Sequence, residues 1–87
     1  MRKDTLEEIK NKIVTLDYSK FRADHVSRIV DRVFFNLVHL IENPKREDVL
    51  FSNLQEGLDT LIRAAANPAD KKYLEPAKKI IASVQSE

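Results

Sequence analysis

The stretch DYSKFRADHVSRIVDRVFFNLVHLIE, residues 17–42, decides the fold. Advancing 100° per residue from Val26 gathers Ile29, Leu40, Val33, Val26, Leu37, Val30, Ile41 and Phe34 into an arc of about 140°, with Val38 just beyond it. That is the apolar face of a long amphipathic helix. Asp17 suits its cap, because Leu16 and Phe21 then occupy the two positions of a hydrophobic staple. A helix is therefore expected to run from Asp17 to about Glu42.

Working outward, the same 3.6-residue period recurs on both sides. Residues 4–16 place Leu6, Ile9, Ile13 and Leu16 on one face, and Asp4 followed by Glu7 resembles a capping box. Asn43-Pro44 and Asn67-Pro68 punctuate the chain: the residue before proline leaves the helical region, and Asn then Pro suits the start of the next helix. A third helix is expected between these junctions, to about Ala66. It should turn Leu50, Phe51, Leu54, Leu58, Leu61, Ile62 and Ala65 inward. A fourth begins near Pro68, aided by Asp70, and carries Tyr73, Leu74, Ala77, Ile80, Ile81 and Val84. Pro76 lies inside that stripe and cannot bond the carbonyl of Lys72, so a bend is expected there. The fold class that follows is all-α: a compact up-down bundle of four amphipathic helices in a single domain, residues 1–87, with the fourth helix bent at Pro76.

Composition agrees. Eighty-seven residues suit one domain, 43% hydrophobic content is too high for a disordered tail, and a single glycine argues against Gly-rich phosphate loops and hairpin-rich sheets. Fifteen basic against fourteen acidic residues leave a net charge of +1, which gives no general attraction for polyanions. With no cysteine there is neither a disulfide scaffold nor a thiolate site. No apolar run approaches the roughly 20 residues of a membrane span, and MRKDTLEEIK at the start lacks the apolar centre of a signal peptide. A cytoplasmic location is the resulting expectation.

The candidate site lies on the face of the second helix opposite its apolar arc. Solvent-facing residues are expected there, and Arg28, Arg32 and His39 fit, bordered by His25, Asn36, Asp31 and Glu42. Phe35 stands in their midst, with Arg32 one turn before it and His39 one turn after. An aromatic ring among arginine and histidine is the composition of an interface hot spot. The competing reading packs the first helix across that face and makes Phe35 ordinary core; the sequence leaves both open. No metal site is expected: His25 and His39 would stand about 21 Å apart along one helix. Nor is any other cofactor implied.

Two short patterns resemble known catalytic elements. Arg32-Val-Phe-Phe-Asn-Leu-Val-His39, an Arg-x6-His spacing, resembles the motif of HEPN-type helical ribonucleases, whose resemblance implies Arg stabilising phosphorane charge and His moving a proton. The chain is short for that family, and seven residues of helix separate the pair by about 10 Å. His39-Leu-Ile-Glu-Asn-Pro44 resembles the phosphoacceptor stretch of histidine-kinase dimerisation domains, but Leu40 stands where that motif carries an acid and Lys45 where it carries a small apolar residue. Neither supports assignment to a family.

On the fourth helix, Lys71, Lys72, Lys78 and Lys79 form two basic rows with Glu75 between them. With no interleaved aromatics this reads as a solvated, ion-paired face, not a track for nucleic acid. Asp59–Arg63 and Asp24–Arg28 are spaced as further surface pairs, and Gly57 beside the Leu54/Leu61 stripe permits close approach of another helix. The expected function is non-enzymatic: a small bundle that binds another protein, as a regulator, chaperone or immunity-type inhibitor, with a homodimer compatible. Phe35, Arg32, Arg28 and His39 would form the binding site. The alternative is RNA binding or HEPN-like ribonuclease action through Arg32 and His39.

Overall fold

A computed structural model describes residues 2–42 and 48–86. Four α-helices follow in order: α1 (Arg2–Ile13), α2 (Val26–Glu42), α3 (Asp48–Ala64) and α4 (Pro68–Ser86). One turn of 3-10 helix, Tyr18–Lys20, lies between α1 and α2. Among the described residues there is no strand, only an isolated bridge between Phe21 and Ala65. Each helix packs on its neighbour in sequence, and α1 also meets α4, which closes the four-helix bundle.

The apolar stripes meet as their periods dictate. Leu6, Ile9 and Ile13 of α1, Val33, Leu37 and Leu40 of α2, Phe51, Leu54, Leu58 and Leu61 of α3, and Leu74, Ala77, Ile81 and Val84 of α4 form one buried cluster. Ile80 departs from the expected stripe and is 42% exposed, because it lies 100° from Ile81 and faces outward. The α2–α3 crossing is a close fit. A Cβ on Gly57 would lie 2.7 Å from Cγ2 of Val33, so glycine is what lets the two backbones approach this closely. Buried Asn36 sits beside that crossing in sequence, and its Nδ2 has no hydrogen-bond partner among the described residues.

The helix ends correct three expectations. α1 begins at Arg2, so Asp4 is not a cap but an acid in the first turn, where it still favours the positive end of the helix dipole. The second helix does not begin at Asp17. Asp17 does cap, accepting from the Ser19 amide at 3.1 Å and the Ser19 hydroxyl at 2.6 Å, but only the 3-10 turn follows. Phe21 is then extended, and the Arg22 amide donates to the Ala64 carbonyl at 2.7 Å. This tertiary bond outcompetes helix continuation. α2 starts after His25, whose backbone is left-handed at φ 60 and whose carbonyl accepts from the amides of Arg28 and Ile29. His25 therefore lies outside the helix that was expected to carry it.

The junction at Asn67-Pro68 is as the sequence predicts. Asn67 Oδ1 accepts from the Ala69 amide at 2.9 Å, and the Asn67 carbonyl accepts from Asp70 and Lys71. α4 continues through Pro76 as one helix without restarting. The Asn43-Pro44 junction lies outside the described residues. No helix among the described residues is long and apolar enough to cross a membrane.

Candidate protein-binding site

α2 is held from two sides, and its third side is open. Val33, Asn36, Leu37 and Leu40 are buried against the neighbouring helices, while Ile29, Val30, Phe34, Val38 and Ile41 are half-buried. The remaining sector, about 100° wide by the helical period, carries Asp31, Glu42, Phe35, Arg28, His39 and Arg32, every one of them exposed. α1 packs on α2 but does not cover this sector. Phe35 is 69% exposed, which decides between the two readings the sequence left open.

The ring is held on one side. Phe34, half-buried, meets Phe35 edge-to-face, with centroids 6.3 Å apart and planes at 75°. Such a contact is favourable for aromatic rings, and it leaves most of Phe35 to water. The other three phenylalanines, Phe21, Phe34 and Phe51, are buried or half-buried. The remaining large apolar residues that are exposed among those described, Val14, Val49 and Ile80, lie outside α2 and are aliphatic. Phe35 is thus the one exposed phenylalanine among the described residues, at the centre of a helix face and within a turn of Arg32 and His39.

The structure brings all four predicted residues, Arg28, Arg32, Phe35 and His39, onto this one face. Sequence reasoning placed Asn36 on its border. Asn36 is instead buried, because it lies only about 20° from Ile29 on the helical wheel and turns inward with it.

Elsewhere the surface offers two open grooves with charges of both signs. One, about 340 Å³, runs between α3 and α4 past Asp59, Ile62, Glu75 and Lys78; the other, about 500 Å³, lies between α1 and α2 beside Lys3, Glu7, Val38 and Glu42. In the first, Lys78 reaches across to Asp59 at 3.1 Å while Arg63 holds the other carboxylate oxygen at 2.8 Å. The Lys78 hydrogen bond keeps the Asp59 carboxyl below its ordinary value. The expected pairing of lysines with Glu75 is therefore corrected for Lys78, which pairs across helices. Among the described residues no group of three or more His, Cys, Asp or Glu is placed to hold a metal ion.

No protein family, curated protein or solved structure matches this chain.

Proposed function

We propose that this protein is a non-enzymatic helical bundle that acts by binding protein through the outer face of α2, with Phe35 as anchor and Arg28, Arg32 and His39 around it. The exposure of Phe35 carries the reading. A phenyl ring in water gives up about 2 kcal/mol of transfer free energy, and covering it recovers that on association. Arginines beside it add donors that suit acidic or carbonyl groups on a partner.

The test is co-purification from the source cell with wild-type protein and with Phe35→Ala, at low and at high salt. A Phe-centred protein interface survives about 0.5 M salt and is lost in Phe35→Ala. Material that is released steeply by salt and by nuclease, and is indifferent to Phe35→Ala, would establish the RNA reading through Arg32 and His39 instead.

A further inference from the structure

The open face of α2 has a symmetry that selects its occupant. We infer that it pairs with the same face of a second copy of this chain, antiparallel, about a two-fold axis passing beside Phe35. This deepens the protein-binding reading of that face by naming what covers it.

Arg28, Phe35 and Glu42 are spaced by seven residues each and form one line along the exposed side of α2. Arg28 stands about 10 Å before the ring and Glu42 about 10 Å after it. When two copies pair antiparallel with their rings together, each Arg28 faces the other copy's Glu42, twice over by symmetry. A parallel pairing would set Arg28 against Arg28 and Glu42 against Glu42. The charge order therefore fits the antiparallel arrangement and opposes the parallel one.

A second observation points the same way. Arg28 lies in the first turn of α2 and Glu42 is its last residue, and that first turn contains no acid. Both charges oppose the helix dipole, which favours acids at the N-terminus and bases at the C-terminus. Their placement costs α2 stability, yet it is the placement that makes the face complementary to itself.

Geometry sets the crossing. Seven residues fall about 20° short of two full turns, so Arg28 and Glu42 drift to opposite sides of the line through Phe35. A crossing near 20°, the commoner angle of antiparallel bundles, compensates for that drift and brings the charges within reach. A crossing near 50° would separate them. Two rings and two exposed ion pairs per dimer make a small interface, so association belongs in the high-micromolar range.

Sedimentation velocity on the full chain, from about 20 µM to about 2 mM, reads the result. Wild type should shift from 10.1 kDa towards twice that mass. Phe35→Ala should remain monomeric. Arg28→Glu and Glu42→Arg should each weaken self-association by at least about tenfold, and the double variant should restore it to within about threefold of wild type. Mixing the two single variants should yield a heterodimer, since every facing pair is then opposite in charge. Both substitutions favour the α2 dipole, and circular dichroism confirms that each variant is folded. A wild-type monomer at 2 mM, single swaps that dimerise unaltered, or a mixture that stays monomeric would overturn the pairing. None of these would touch the broader reading, which the Phe35-dependent co-purification tests on its own.

Discussion

Phe21 and Phe35 stand in places that invert ordinary expectation. Phe35 sits in the middle of α2, the most apolar of the four described helices, and is 69% exposed. Phe21 sits in an irregular connection and is 8% exposed. Its ring packs against Tyr18 at 4.8 Å, its backbone bridges to Ala65, and it closes the end of the bundle where α1, α2, α3 and α4 come together. Helical regularity fixes only which residues share a face. Burial is decided by whether another element lies over that face, and none of the described elements lies over the outer face of α2.

The contrast is sharpest in mutational cost. Phe21→Ala should destabilise the protein by about 3–5 kcal/mol, because the end of the core is left with a cavity that rigid helices cannot fill. Chemical denaturation followed by circular dichroism measures this; a loss below about 1 kcal/mol would mean that the connection is an unpacked cover.

The inner face of α2 provides the next comparison, since it lies on the same helix as Phe35. Gly57→Ala drives a methyl into Val33, a β-branched residue with little rotamer freedom. Overpacking of about 1–3 kcal/mol should outweigh the gain of up to about 1 kcal/mol in helix propensity. A net stabilisation would show that α2 and α3 can separate without cost.

Tyr18 links Phe21's packing to pH. Its hydroxyl donates to the Ile13 carbonyl at 2.6 Å, and burial, followed by the charges of Asp70 and Tyr73, pushes its ionisation well above the ordinary 10.0. A raised value means that the fold favours the neutral phenol. Its contribution is therefore complete below pH 10 and is lost as pH rises from there through the folded value. Urea midpoints should fall between pH 9 and 11 in wild type and fall less in Tyr18→Phe, which itself should cost about 1 kcal/mol at neutral pH.

The smallest effect belongs to the outer face. Phe35→Ala should leave stability within about 0.5 kcal/mol in dilute solution, as measured by a thermal melt at low micromolar protein. A loss of several kcal/mol would place Phe35 in the core and erase its difference from Phe21.

The four stripes were legible because prolines and a steady 3.6-residue period bounded them, and the residues of the candidate face were legible as positions on a wheel. Whether Phe35 was covered was not, since that depends on how far α1 reaches around α2. The beginning of α2 misled for a related reason. Asp17, Leu16 and Phe21 carry sound local signals for a helix start, but Phe21 and Arg22 find partners 44 and 42 residues further along the chain, at Ala65 and Ala64. No glycine or proline marks the break, because His25 adopts the left-handed backbone itself. Asn36 fell on the buried side and not the polar one because a polar residue at the margin of an apolar arc can turn either way.

The bond from the Arg22 amide to the Ala64 carbonyl gives the connection before α2 a dependence on the far half of the chain. An amide in a loop ordinarily exchanges its hydrogen with water in moments, through local fluctuations. Here, release requires the link between α1 and α2 to detach from the end of α3. In deuterated water the Arg22 proton should persist beside those of the helical core, long after its exposed neighbours have gone, making one surface residue a clock for the opening of the whole bundle.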